Sequence, residues 1–158
     1  MKNLLFFLAF GFSMMCFGQT NTPNTLDKKN IEEMKQYFYE IDDAFNRAMV
    51  TKDSIFFVTH FAESYINCTP LGEVNSKADE IATLLKLPLQ LVERTALQYD
   101  IFKYSDKIAT MSVTKKLTRK DATISYVRRT IIYELIDGKW LIVSGQGTSV
   151  LAKYIDRP

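Results

Sequence analysis

The spacing of apolar residues divides the chain into a helical N-terminal part and a strand-rich C-terminal part. Apolar residues recur every three or four positions over residues 31–48, which predicts an amphipathic helix capped by Asn30 and Glu33. The same spacing predicts a second helix over residues 53–63, with Asp53 as its cap, and a third over residues 76–86.

From residue 95 onward the pattern changes to runs rich in β-branched and aromatic residues, which are typical of strands. Four strands are predicted, at 95–103, 107–119, 123–136 and 139–148, and a further one at 65–69. The connections between the last four are short and hairpin-like. Helices followed by a long meander predict an α+β fold, with three helices packed on one face of a curved antiparallel sheet.

The first eighteen residues form a separate unit. Lys2 precedes an almost unbroken apolar run over residues 4–15, and small residues follow at Cys16 and Gly18, where a signal peptidase reads the chain. The run is too short to span a bilayer, so we predict a cleaved signal peptide and a periplasmic or secreted protein without a membrane span. A buried N-terminal helix is the alternative.

The domain boundaries follow from that assignment. We predict a signal peptide at 1–18, a flexible Thr/Asn/Pro-rich leader at 19–29 and a single domain at 30–155. A lipid anchor at Cys16 is disfavoured, because Met15 stands where lipidation wants a small residue.

Composition narrows the function classes. The chain has 158 residues, 47% of them hydrophobic and 24% charged, which is typical of a globular domain. Its formal net charge of +2 gives no argument for nucleic acid or anionic membranes as partners. After cleavage Cys68 is the only cysteine and His60 the only histidine, so we expect no disulfide, no metal site and no cofactor.

Two consecutive arginines carry the sharpest inference from the residues. Neighbours in a strand face opposite sides of the sheet, and Arg129 shares its side with Ile131 and Tyr133, whereas Arg128 shares a more polar side. We therefore expect Arg129 on the covered side, where a guanidinium needs an anion. A protein carboxylate, a position at the wet edge and an anionic ligand remain open.

The order of elements resembles the nuclear transport factor 2-like superfamily, which includes ketosteroid isomerases and SnoaL-like proteins. The resemblance covers residues 31–150. Residues 52–65 look like the second helix running into the first strand, and residues 129–140 look like the final hairpin. The nearest likeness is to small secreted members of undefined function. The resemblance implies a cone-shaped fold, a pocket between the sheet and the helices, and a homodimer formed through the sheet.

The isomerase mechanism of that superfamily is not supported. The resemblance places its carboxylate base on Thr69, its carbonyl-polarising tyrosine on Phe45 and its second acid near Ile131. A threonine is no general base near neutral pH, and neither of the other two side chains donates a hydrogen bond to an oxyanion.

Two more groups are candidates for chemistry. Tyr65, Asn67 and Thr69 alternate along the first strand, and the resemblance implies that their shared face lines the pocket; solvent on an edge strand is the alternative. His60 lies on the apolar side of the second helix, as either a hydrogen-bonded core residue or the general base of a lyase or isomerase.

The last strand raises two questions. Gly145 and Gly147 predict either a bulge or a roomier cavity. Trp140 and Ile142 are predicted to lie on the uncovered face and, with Tyr126, to form the dimer surface.

The leading hypothesis is an exported, non-catalytic pocket protein for a small and anionic organic ligand. The alternatives are an enzyme that uses His60 as its base and a dimerisation or assembly domain. The candidate ligand-binding residues are Arg129, Tyr65, Asn67, Thr69, Tyr133 and Phe45.

Overall fold

The structure is a computed structural model that describes residues 25–69, 71–86 and 90–155. The signal peptide predicted at 1–18 and the first part of the predicted leader lie outside the described residues.

Within the described residues the three helices that the apolar spacing predicts are present: α1 at Thr25–Thr51, α2 at Ser54–His60 and α3 at Lys77–Lys86. The second is shorter than predicted, because residues 61–63 already belong to a strand. Helix α1 begins five residues before the predicted cap, so Asn30 lies inside the helix and the leader predicted at 19–29 overlaps it. The sequence between Pro23 and Asn30 contains no glycine or proline that would stop the helix from extending.

Both shorter helices begin with a side-chain cap, and the cap predicted at Asp53 is confirmed. The Asp53 carboxylate accepts hydrogen bonds from the backbone amides of Ile55, at 3.0 Å, and Phe56, at 3.1 Å. Ser76 and Asp79 form a reciprocal pair, in which the serine hydroxyl donates to the carboxylate at 2.6 Å and accepts from the Asp79 amide at 3.3 Å. These side chains satisfy amides that have no partner inside a helix.

In the part of the chain that the structure describes, six strands form one sheet in the order β2-β1-β6-β5-β4-β3. They are β1 (Phe61–Cys68), β2 (Val74–Ser76), β3 (Leu91–Tyr104), β4 (Ile108–Arg119), β5 (Ile124–Ile136) and β6 (Lys139–Val150). The short β2 was not predicted. A turn of 3-10 helix, Ala152–Tyr154, follows the last strand.

The predicted antiparallel sheet is wrong in one pairing. Strand β1 lies parallel to β6, whereas the other neighbours are antiparallel. The chain leaves β1 through β2 and α3, runs through the three strands of the meander, and returns beside β1 in the same direction. The sheet is therefore mixed.

The core lies between the helices and the covered face of the sheet. Helix α1 packs against β3, and α3 packs against β1. The covered face of β4 and β5 carries Ala109, Met111, Val113, Ile131 and Tyr133, all of them at most 1% exposed. No helix within the described ranges combines the length and the apolar character that a membrane span needs.

A register shift in β6 corrects the prediction about its faces. Ile132 pairs with Ser144, but the next residue, Tyr133, pairs with Ile142, so one residue of β6 is extra at this point. The extra residue moves Trp140 and Ile142 to the covered face: Ile142 is buried, and the Trp140 ring lies 5.1 Å from the Phe38 ring. These two residues are not on an outer surface, so they no longer belong to the predicted dimer contact. The homodimer through the sheet stays a prediction.

Candidate functional site

A cavity of about 580 Å³ lies between the sheet and helices α1 and α3. Its wall combines apolar side chains such as Met49, Leu84 and Leu117 with three arginines, Arg94, Arg119 and Arg129. Helix α1 reaches the cavity with its last turns and α3 with its covered side, while β3, β4 and β5 supply the arginines. Ligand pockets commonly combine an apolar wall with a few polar or charged groups, as this cavity does.

Arg129 faces the covered side of the sheet, as alternation in β5 predicts. It is 6% exposed, and its Nη2 donates a hydrogen bond to the Tyr65 hydroxyl at 3.3 Å. Among the described residues no carboxylate forms an ion pair with it. Its neighbour Arg128 points to the other side, has a side chain 46% exposed and pairs with Asp100 at 3.2 Å. The sequence left open an ion pair between Arg129 and a protein carboxylate, and among the described residues no such pair is present.

Arg94 is a second cation in the wall, and the sequence pattern did not predict it. It lies near the start of β3, opposite Leu117. Its Nε atom is buried and has no hydrogen-bond partner among the described residues. Burial, and then the nearby charge of Arg129, lower the pKa of the Arg94 guanidinium, although an arginine stays protonated at neutral pH. The predicted strand began at residue 95, one position too late to show that Arg94 alternates inward.

Three cations lie over the Phe45 ring. The Arg129 Cζ lies 4.1 Å from the ring centroid, the Arg94 Cζ lies 5.4 Å from it, and so does the Lys115 Nζ. The negative face of an aromatic ring attracts cations, which offsets part of the cost of burying them. Phe45 is not among the residues of the cavity wall; it lies behind the guanidiniums and supports them.

Lys115 is the third cation against that ring, and it is fully buried. Its ammonium pairs with Asp42 and donates to the Asn46 side-chain oxygen at 2.8 Å. Burial lowers the pKa of Lys115 to about 7, against the opposing effect of the Asp42 charge. Both partners lie on α1, so this group ties the helix to β4.

Asn67 links the sheet to helix α3. Its side-chain amide donates to Glu80 at 3.0 Å, and the Asn75 amide donates to the same carboxylate oxygen at 2.9 Å. Asn67 and Glu80 both belong to the cavity wall and both are buried. Glu80 is thus held by two neutral amides, and within the described part of the chain it forms no ion pair with the arginines.

Gly145 makes room for three polar side chains. A Cβ atom added there would lie 2.9 Å from Nη2 of Arg129, 3.0 Å from Oδ1 of Asn67 and 3.2 Å from the Tyr65 hydroxyl. Burial raises the pKa of Tyr65 to about 12, so its hydroxyl stays neutral and accepts the hydrogen bond from Arg129. The sequence offered a bulge or a wider cavity: the register shift lies just before Gly145, and the space at the glycine is filled by these polar groups.

Thr69 and His60, which the sequence named as candidates, lie away from the cavity wall. The Thr69 hydroxyl accepts hydrogen bonds from the backbone amides of Leu71, at 3.3 Å, and Glu73, at 3.2 Å, and so holds the turn after β1. His60 ends α2, where its Nδ1 lies 3.0 Å from the Phe56 carbonyl oxygen and its ring stacks on the Phe56 ring at 4.0 Å. Neither residue lines the cavity.

Tyr133, a further candidate, lies deep in the aromatic core. Its ring is 4.6 Å from the Phe38 ring, and its hydroxyl has no hydrogen-bond partner among the described residues. Burial raises the pKa of Tyr133 well above its usual value. It is not part of the cavity wall.

The described residues offer no cluster of side chains that could bind a metal ion. Within residues 25–69, 71–86 and 90–155, no three His, Cys, Asp or Glu side chains are arranged to hold an ion.

The arrangement of elements is shared with solved structures. A nuclear transport factor 2-like protein of Cytophaga hutchinsonii matches 73% of this chain and 98% of its own, with a TM-score of 0.66 and 17% identity. The chain has the nuclear transport factor 2-like fold. A protein of Rhodospirillum rubrum, a nuclear transport factor 2-like protein of unknown function in nutrient uptake, matches the same shares of both chains with a TM-score of 0.62 and 19% identity.

Other matches point to the same fold. A protein with a cystatin-like fold from Caulobacter vibrioides matches 77% of this chain and 92% of its own, with a TM-score of 0.64 and 14% identity. No protein-family model and no curated protein matches the sequence. At these identities the likeness shows the nuclear transport factor 2-like fold alone, and function has to be argued from the cavity.

Proposed function

We propose that this chain is an exported, non-catalytic binding protein for a small organic anion, which Arg94 and Arg129 hold in the cavity. One observation carries the proposal: two guanidiniums meet at the cavity, and neither has a carboxylate partner among the described residues. The buried, unpartnered Nε of Arg94 is the strongest single sign of a missing acceptor.

The energetics favour an anion over an empty cavity. A buried charge without a counter-charge is costly, and the cation–π contacts with Phe45 and the bond to Tyr65 offset only part of that cost. A carboxylate or similar group offers two acceptor oxygens in the plane that a guanidinium prefers. An anion that binds here removes the penalty, so it stabilises the fold as it binds.

The charges of the wall also favour a negatively charged ligand. The described wall residues include three arginines and one carboxylate, Glu80. The three arginines outnumber this one carboxylate, which accepts hydrogen bonds from two neutral amides and forms no ion pair with them among the described residues. The wall therefore presents a net positive surface to whatever enters.

His60, Lys115 and Tyr65, three groups that could carry acid–base chemistry, are not among the residues of the cavity wall. His60 lies on another element, Lys115 is fully buried and bound to Asp42, and the raised pKa of Tyr65, about 12, keeps it from acting as a base. These placements support a binding function rather than the enzyme that uses His60.

The test compares two adjacent arginines that face opposite sides of β5. Binding of short organic anions is measured by titration calorimetry for the wild type and for Arg129→Met, Arg94→Met and Arg128→Met. Loss of a charge-assisted contact is worth about 1.5–3 kcal/mol, so we expect affinity to fall tenfold or more in the first two variants. Arg128→Met is the matched control and keeps wild-type affinity.

The outcomes are distinct. If Arg129→Met and Arg94→Met bind every tested anion as the wild type does, or if no organic anion binds, the proposal is wrong. The protein for the experiment is taken from the periplasmic fraction of an expression host, where its intact mass is expected to show cleavage between Gly18 and Gln19. Material that retains Met1 contradicts the export.

A further inference from the structure

We infer that the ligand is an amphipathic monoanion, bound with its charged head at Arg94 and Arg129 and its apolar body directed toward the rim of the cavity. This inference rests on the proposed function and adds the chemical class and the orientation of the ligand.

Exposure changes systematically along the cavity. At its floor Arg129, Asn67 and Glu80 are each at most 8% exposed. At its rim Ile124 is 48% exposed and Leu151 is 62% exposed. The Arg129 guanidinium is therefore less accessible to water than the apolar side chains of Ile124 and Leu151 at the entrance, where Ser149 is exposed as well.

The wall between floor and rim is apolar as well. Leu84 comes from α3, Leu117 from β4 and Val127 from β5, so apolar side chains face the cavity from three sides. A polar group placed against these three side chains would lose its hydration without gaining a partner from them. A hydrocarbon body instead gains free energy with each methylene group removed from water.

The size of the cavity argues against a small ion as the natural occupant. About 580 Å³ lies within the range of pockets that enclose a ligand of drug size, roughly 300–1,000 Å³. An inorganic ion bound to the arginines would leave most of this space to water against an apolar wall. The volume and the apolar side chains of the wall together favour a ligand with an apolar body.

Glu80 limits the charge of the head. Its carboxylate lies in the same wall and acts electrostatically on Arg94. It therefore repels a second negative charge near the floor, which works against dianions of the same length. A single carboxylate fits the available counter-charge better.

The test is a series of straight-chain carboxylates of increasing length, measured by calorimetry on the mature protein. We expect affinity to rise roughly fourfold for each added methylene until the chain reaches the rim, and then to level off. A dicarboxylate of equal length is expected to bind at least tenfold more weakly than the monocarboxylate.

Rim variants locate the tail. Ile124→Ser and Leu151→Ser are expected to lower the affinity of the long members of the series and to leave the short members unchanged. Ile108→Ser is the matched control, because Ile108 is 50% exposed but lies outside the cavity wall. Occupancy can be followed independently by the reactivity of Cys68, which lines the cavity and is expected to be protected from alkylation by the long carboxylates.

The results separate this inference from the proposal beneath it. If carboxylates bind in a manner that depends on Arg129 but show no dependence on length, or if dicarboxylates bind as tightly, the amphipathic class is wrong and anion binding stands. If Ile108→Ser changes the series as much as Ile124→Ser does, the orientation is wrong. If no carboxylate binds at all, both fail.

Discussion

Two kinds of buried cation lie against the same Phe45 ring, and they differ in what the fold provides for them. Lys115 has internal partners for its charge, since Asp42 supplies the counter-charge and Asn46 a further acceptor. Arg129, on the neighbouring strand, meets a neutral hydroxyl and an aromatic face. Burial of a charge therefore does not by itself mark a binding site; the partners that it has or lacks decide the question.

Removing each of these two cations is expected to change the stability of the fold by a different amount. Lys115→Met leaves the buried Asp42 carboxylate without its counter-charge, and breaking a buried pair in this way costs about 3–5 kcal/mol. Arg129→Met removes a charge that has no counter-charge, so the lost contacts with Tyr65 and Phe45 are offset, and we expect a change within about 1 kcal/mol. Urea unfolding of both variants measures the difference.

A double variant sharpens that test. In Lys115→Met with Asp42→Asn both charges are absent, and much of the lost stability is expected to return. If Arg129→Met is as destabilising as Lys115→Met, the distinction between the two cations does not hold.

The next largest effect is a dependence of stability on pH that belongs to Lys115. Its pKa falls from 10.5 to about 7 in the folded protein, so between these values the unfolded chain holds more protons than the folded one. The free energy of unfolding therefore rises with pH across this window, by at most about 1.4 kcal/mol per pH unit. Urea unfolding between pH 7 and about pH 9.5 checks the slope, before the tyrosines of the unfolded chain ionise.

The control for the pH experiment is the same double variant, which lacks the titrating group. A wild-type slope that persists in Lys115→Met with Asp42→Asn would assign the dependence to other residues.

The smallest expected change in stability comes from Gly145→Ala, which acts on the unpaired side of the comparison. The new methyl group meets the ends of flexible side chains, Arg129 among them, so we expect a stability loss below about 1 kcal/mol. The displaced guanidinium loses its alignment with the cavity, and anion affinity is expected to fall roughly tenfold. Calorimetry and thermal unfolding measure the two effects separately.

Gln146→Ala is the matched control, since Gln146 is the next residue of β6 and is exposed. Wild-type anion affinity in Gly145→Ala would show that the glycine does not position Arg129.

Local patterns were sufficient for much of the fold. Apolar spacing located the three helices, and alternation in β5 placed Arg129 on the covered side, because both signals depend on neighbours within a few residues. The parallel pairing of β1 with β6 was missed because the spacing within a strand says nothing about its partner. The bulge in β6, which no local pattern positions, reversed the predicted face of Trp140 and Ile142.

The candidate site was harder to predict for the same reason. Lys115 and Asp42 are 73 positions apart, so their pairing has no local sign. Arg94 was missed because strand ends are the least certain part of a pattern. Thr69 was named from alternation along the first strand, which ends at Cys68, and His60 from its place on the apolar side of the second helix. Each instead bonds to backbone groups of its own segment.

The parallel contact between β1 and β6 also bears on how the chain folds. Tyr65 reaches Arg129 across 64 positions, and β1 completes its pairing only when the last strand arrives. Closing so large a loop costs entropy before any contact is gained, which slows folding relative to domains built from nearby contacts. We expect the helices and the meander to collapse first and the arginine site to be assembled in the final step, so a chain released without its C-terminal strand would lack the site altogether.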